Sequence, residues 1–160
     1  MVKNVKIRRF CINDLYDFKN MFCNYFRKDF KIQIPDNKVD EICLKISENS
    51  NSEITPLDLL LIDEKIVGFI SYQIDSPNSD WCEREGWGFI REIYVNPTLR
   101  GNHLGSRLVT HAEKTLYSNG AEHIYLTSDE AGIFWLSCGY IKTDKVSDIN
   151  HDPIYEKYMC

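Results

Sequence analysis

The stretch "NPTLRGNHLGSRLV" occupies residues 96–109. A proline, an Arg-Gly pair and a second glycine four residues on stand directly before an amphipathic run. That punctuation predicts a strand handing over to a helix, the helix beginning at about Leu104 or Gly105. Such an entry leaves backbone N–H groups unpaired at the positive end of a helix dipole. Together they form an anion site suited to a diphosphate, because the N–H groups lie in a row. The plainer alternative is a strand-to-helix turn that uses Gly and Arg only as punctuation. The chain holds no G-x-x-x-x-G-K-[ST], which excludes a P-loop, and no G-x-G-x-x-G after a first strand, which excludes a dinucleotide Rossmann site.

Upstream, "WGFIREIYV" (87–95) reads as the strand feeding this junction. Downstream, Leu108, Val109, Ala112 and Leu116 recur at helical spacing until Asn119-Gly120, a C-terminal stop. "HIYLTS" is the next strand, so residues 87–127 read as strand–helix–strand, a parallel pair inside an otherwise antiparallel sheet. Towards the N-terminus, "LDLLLID" and "KIVGFISYQID" look like a hairpin turning at Asp63-Glu64. Before them "SENSNSE" (47–53) reads as a polar loop, and a helix is expected from Asp36 to about Ser47, with Val39, Ile42, Cys43 and Ile46 on one face. The segment "VKIRRF" reads as a first strand. Asn13 and Asp14 are plausible N-caps of a helix whose Leu15, Phe18, Met21, Phe22, Tyr25 and Phe26 form an apolar stripe. After "HIYLTS" come a short helix in "EAGIFWLSC" stopped by Gly139, then closing strands "YIKTD" and "IYEKYM". The fold class is therefore α/β, a mixed, mostly antiparallel sheet of about seven strands flanked by about four helices.

A chain of 160 residues is expected to form one domain, spanning 1–160, with a core of its own. The net charge of -5 argues against nucleic acid as a partner, because phosphate backbones select basic surfaces. Six cysteines without C-x-x-C or metal spacing read as reduced, buried or half-buried thiols, and no metal is expected. The start "MVKNVKIRRFCIND" lacks the apolar run of a signal peptide, and no segment approaches the roughly 20 apolar residues that span a bilayer. The expected location is the cytoplasm, away from membranes.

The stretch "IYVNPTLRGNHLGSRLV" resembles motif A of the GNAT superfamily, the Gcn5-related N-acetyltransferases, whose pattern is V-x-P-x-x-R/Q-x-x-G-x-G/A. Val95, Pro97, Arg100 and Gly105 match, and His103 stands at the first motif glycine. "AGIFWLSCGY" resembles the family's A-x-x-F-Y-x-x-x-G-F, matching at Ala131, Phe134 and Gly139, with Trp135 for Tyr and Tyr140 for Phe. "IRRFCINDL" is similar to the family's first strand and helix start.

The resemblance implies acyl transfer, usually of acetyl, from acetyl-CoA to an amine in a ternary complex. The acceptor would be a small molecule or a peptide, and the protein a monomer or homodimer. The amides of Gly101, Asn102, His103, Leu104, Gly105 and Ser106 would bind the pyrophosphate, with Arg100 and Arg107 adding charge. Ile93, Tyr94 and Val95 would carry the pantetheine arm. The Val95 amide would be the oxyanion donor, a group whose loss costs on the order of 100-fold. Phe134, Trp135 and Ser128 complete the coenzyme contacts, Ser128 standing where the family often has Asn. An alkylammonium of pKa about 10 must lose its proton before it attacks. Glu92, on a face shared with Tyr94 and Ile90, is the candidate base or, alternatively, a carboxylate that binds the substrate cation or pairs with Arg91. The family's acid for the leaving thiolate is a tyrosine; the indole of Trp135 cannot serve, so Tyr140, Tyr125 or water would. Phe26, Phe30, the 27–37 loop and the 76–86 loop, with Asp80, Glu83 and Glu85, are expected to border the acceptor. The rival reading is a non-catalytic acyl-CoA-binding module, or an enzyme using another acyl-CoA or acceptor.

Overall fold

The computed structural model describes residues 4–24, 35–51, 55–129 and 132–159. Their order is β1 (Val5–Arg9), α1 (Leu15–Asn24), α2 (Asp36–Asn51), β2 (Leu57–Ile62), β3 (Lys65–Ile74), β4 (Gly88–Val95), α3 (Leu104–Ser118), β5 (His123–Thr127), α4 (Ile133–Ser137), β6 (Ile141–Val146) and β7 (Pro153–Tyr158). The strands form one sheet in the order β1-β2-β3-β4-β5-β7-β6, antiparallel except for the β4–β5 pair. This is the mixed α/β architecture expected from the sequence.

The alternation of β2 sorts its side chains to two layers, as a period of two requires. Leu60 packs under α3 with Ile70, Tyr72, Leu108, Val109 and Ala112. Leu57, Leu59 and Leu61 face α1 and α2, against Phe18, Phe22, Val39 and Phe69. The hairpin turn falls at Asp63 and Glu64, both with positive φ (50° and 68°), the paired left-handed geometry that suits the twist of two strands.

Three local expectations change. Asp14 does not cap α1 from outside: a 3-10 turn over Ile12–Asp14 precedes the helix, and Asp14 accepts from the Cys11 N–H at 2.9 Å. The second helix runs on to Asn51 rather than ending near Ser47, so most of the expected polar loop is helical. The reason is packing: Ser47 and Ser50 are buried, and the Ser50 hydroxyl accepts from the Leu57 N–H at 3.3 Å. Among the cysteines, Cys43 is buried and Cys23 and Cys138 half-buried, but Cys11 and Cys82 are exposed. Tyr25, Phe26 and Phe30 lie outside the described residues.

Asp14 also sets part of the acid stability. Arg8 grips its carboxylate with two bonds of 2.8 and 2.9 Å, and that guanidinium holds the carboxyl down at about 2. A carboxyl depressed on folding stabilises the native state above its ordinary value near 4 and stops doing so as pH falls toward the folded value. The contribution is about 2 kcal/mol at neutral pH. Urea melts of Asp14→Asn should therefore show a deficit of that order at pH 7 that shrinks steadily below pH 4; a deficit independent of pH would refute the assignment.

Candidate active site

The parallel pair β4–β5 is the opening in the sheet. The two strands are in register only at Gly88–Ile124 and Phe89–Tyr125. Beyond these, β4 runs on to Val95 while β5 turns to pair with β7 along its whole length. The strands therefore part toward their C-terminal ends, where open α/β sheets hold ligands. Asn96 N–H donates to Val67 O across β3 at 2.8 Å. Alternate residues point the same way, so the N–H and C=O groups of Val95 and Ile93 point into the gap.

At the top of the gap stands the cradle. Asn96 turns the chain out of β4, its side chain accepting from the Thr98 N–H at 3.1 Å. Gly101 then takes φ +89°, and a Cβ there would meet nothing within 4 Å. The loop is open on that side and the backbone conformation is what demands glycine. α3 starts at Leu104, and the His103 side chain makes no capping hydrogen bond. The first-turn N–H groups are thus offered to an anion at the positive end of a 15-residue helix. The chemistry of the donors, a row of N–H groups open on the Gly101 side, is that of a diphosphate site.

Arg100 does not reach out from the loop. Its Nε donates to the Val95 carbonyl at 3.0 Å and its guanidinium lies 5.7 Å from the Tyr94 ring centroid. It is a charge fixed at the end of β4, beside the gap. Arg107 is exposed on the first turns of α3.

His103 adopts the left-handed region (φ 61°, ψ 17°). Its place in the motif is therefore one where glycine is conformationally favoured, and a helical backbone at this residue is ruled out. A non-glycine residue there costs about 1 kcal/mol or more. His103→Gly should raise the melting temperature by roughly 2–4 °C and leave coenzyme A affinity within twofold. A tenfold loss of affinity would mean that the imidazole itself touches the ligand.

The second sequence motif packs on the first. The Phe134 ring stands over α3 so closely that a Cβ on Gly105 would lie 3.1 Å from its Cε1. Gly105 is needed for that contact rather than for its φ. Trp135 sits edge-on between Phe134 and Tyr140, at centroid distances of 4.9 and 5.7 Å. Ser128 follows β5 on the other wall of the gap, its N–H bound to Pro153 O at 3.1 Å. Ala131 lies outside the described residues.

Glu92 is exposed on β4 opposite Ser71. It shares a face with Tyr94 but not with Ile90. The register steps from Ser71–Glu92 to Tyr72–Ile90, leaving Arg91 as an extra, bulged residue. One extra residue reverses the alternation, so Ile90 packs under α3 while Tyr94 faces α1 and α2. Arg91 turns to Asp80 at 2.7 Å and to the Gln73 side-chain oxygen at 3.1 Å. Its charge holds the Asp80 carboxyl below its ordinary range. Glu83 accepts from the Ser147 hydroxyl at 2.9 Å, so the 76–86 loop is pinned rather than simply solvated.

The tyrosines considered as acids do not suit that role. Tyr140 is 2% exposed, and its hydroxyl donates to Glu113 at 2.9 Å. Burial first, and Glu113 second, push its pKa up. Tyr125 is fully buried, donates to Asp75, and is raised by burial and that carboxylate. Three buried acids, Glu113, Asp58 and Asp75, escaped the sequence reading; the available signal was a charge on an apolar helix face, another inside an apolar strand and a third at the end of one. No group of His, Cys, Asp and Glu able to hold a metal occurs among the described residues, and no described helix is long and apolar enough to cross a membrane.

Comparison with solved structures returns the same fold along nearly the whole chain. An acetyltransferase of the GNAT family from Staphylococcus aureus Mu50 aligns at TM-score 0.76 and 17% identity, over 98% of this chain and all (100%) of that one. PaiA N-acetyltransferase from Thermoplasma acidophilum, in complex with coenzyme A, aligns at 0.74 and 18%, over 97% and 99%. The aminoglycoside N-acetyltransferase AAC(6')-Iy, in complex with CoA, aligns at 0.72 and 14%, over 92% and 94%. No curated protein sequence matches. The profile of the Acetyltransferase (GNAT) family matches residues 16–140. Since that match runs from α1 through both motifs to the turn before β6, the chain belongs to the GNAT acetyltransferase family.

Proposed function

We propose that this acyltransferase moves an acetyl group from acetyl-CoA to a primary amine by direct transfer in a ternary complex. The observation that carries the reading is the gap between β4 and β5, edged by inward-pointing backbone of Ile93 and Val95 and ending at the α3 cradle. In this reading residues 1–160 act as one catalytic domain. The amides from Gly101 to Ser106 receive the pyrophosphate, and Ile93 and Val95 pair with the pantetheine arm as a neighbouring strand would. The Val95 N–H meets the negative charge that develops on the thioester oxygen. Phe134 and Trp135 border the arm, and Ser128 faces it from the β5 side. Glu92 takes the ammonium proton, directly or through water, or else holds the cation in place. With both tyrosine hydroxyls committed to carboxylates, water protonates the departing thiolate. That cost is bounded, because a thiol of pKa about 8.5 leaves tolerably near neutrality. Thiols free of disulfides among the described cysteines support a reducing, cytoplasmic setting.

Trp135 in place of the family's tyrosine favours a second reading, a module that binds acyl-CoA without turnover. Thiol release from acetyl-CoA with polyamines, aminoglycosides, amino acids and peptides separates the two. Turnover on an amine is expected. Tight acetyl-CoA binding with no turnover on any acceptor would support the binding module.

A further inference from the structure

Outside the gap, one buried charge pair ties the second motif to α3. Glu113 lies on α3 eight residues after Gly105 and is 5% exposed. Lys157 of β7 reaches it, with Nζ 3.2 and 3.0 Å from the two carboxylate oxygens and 2.8 Å from the Cys138 carbonyl. An ammonium has three donors, and all its hydrogen-bonding capacity is used here. The Lys157 stem crosses Gly139, which has φ +92° and would place a Cβ 3.3 Å from the lysine Cε. Glu113 also accepts the Tyr140 hydroxyl at 2.9 Å. Tyr140 meets Trp135, Trp135 meets Phe134, and Phe134 closes on Gly105. The contacts thus leave α3 at Gly105 and return to it at Glu113, about two turns or ~12 Å along the helix.

α4 needs such an anchor. It has five residues and buries none of them fully, so its own hydrogen bonds are too few to hold it and the partial burial of Trp135 is its main apolar attachment. We propose that Lys157 is a positioning residue for the coenzyme site. With Glu113 it pins the C-terminal end of α4 to α3 and thereby seats Phe134 on Gly105, at the cradle. The inference rests on the reading of residues 101–106 as the coenzyme cradle.

The test is coenzyme A binding by titration calorimetry, with acetyl-CoA kinetics beside it. Lys157→Met is expected to weaken coenzyme A binding about tenfold. The KM for acetyl-CoA should rise in parallel while kcat changes less than twofold, because Lys157 touches no reacting atom. Lys157→Arg should restore affinity to within about threefold of wild type. Should Lys157→Met fail to fold, Lys157→Met/Glu113→Gln leaves no unpaired buried charge and should bind as weakly. Asp58→Asn, in a separate polar network, should lower the melting temperature without moving the coenzyme Kd. The proposal is overturned if folded Lys157→Met or the double variant binds coenzyme A within twofold of wild type. It is equally overturned if Asp58→Asn weakens binding as much. A wild-type protein that does not bind coenzyme A would overturn the cradle reading itself.

Discussion

Replacing Glu92 by glutamine is expected to lower kcat on an amine acceptor by about 10²-fold or more at pH 7. An alkylammonium with pKa about 10 is almost wholly protonated at that pH and has no lone pair to attack with. Glu92 is an exposed carboxylate on β4, adjacent to Ile93, whose backbone points into the gap. The bulge at Arg91 turns it to the α1/α2 side together with Tyr94, while Arg91 is held by Asp80 and Gln73. Glutamine keeps the size, the exposure and an acceptor oxygen, and a melting curve of the variant checks that the fold is retained. A base gives a fall in kcat and loss of the acid limb of the kcat profile, which reports ionisation of the base in the complex. A carboxylate that only binds the cation gives a raised KM with kcat retained. Full kcat with an unchanged pH profile would sink the base assignment.

The largest loss of stability is expected at Asp58. This carboxylate is 2% exposed in β2, and it accepts from Arg9 Nε at 2.7 Å and from the Tyr72 hydroxyl at 2.5 Å; His111 Nε2 lies 2.7 Å away. Burial alone would raise its pKa, but the bonds from His111, Tyr72 and Arg9 outweigh burial and hold it below the ordinary range. Four elements, β1, β2, β3 and α3, converge on one charge. Asp58→Ala removes the carboxylate to which the Tyr72 hydroxyl, buried at 1% exposure, and the half-buried Arg9 guanidinium both donate. The expected cost is about 3–4 kcal/mol, or a melting temperature lower by roughly 10 °C. Asp58→Asn, which keeps the shape and one acceptor oxygen, should lose about half as much. A loss under about 1 kcal/mol for Asp58→Ala would show that the network is solvated in solution.

Much of the fold was legible because its signals are local. The hairpin at Asp63-Glu64, the helix stop at Asn119-Gly120 and the strand–helix–strand around residue 104 all rest on turn chemistry within a few residues. The misread places share a physical reason. Ser47–Asn51 looked like loop because serine and asparagine are poor helix formers, yet burial of Ser47 and Ser50 against β2 carried the helix on. Tyr140 looked available as an acid because nothing near it in the chain shows that Glu113, 27 residues earlier, takes its hydroxyl.

The sequence by itself determined the cradle. Pro97, Gly101 and the periodic run after Leu104 act over one or two turns of backbone, so their order is enough to build it. Only the tertiary structure decided what surrounds the cradle. The parting of β4 from β5, the reversal of Glu92 relative to Ile90 at the Arg91 bulge, and the seating of Phe134 on Gly105 all depend on register between distant segments. Register is settled by packing both faces of a sheet at once, and no single stretch of chain carries that information.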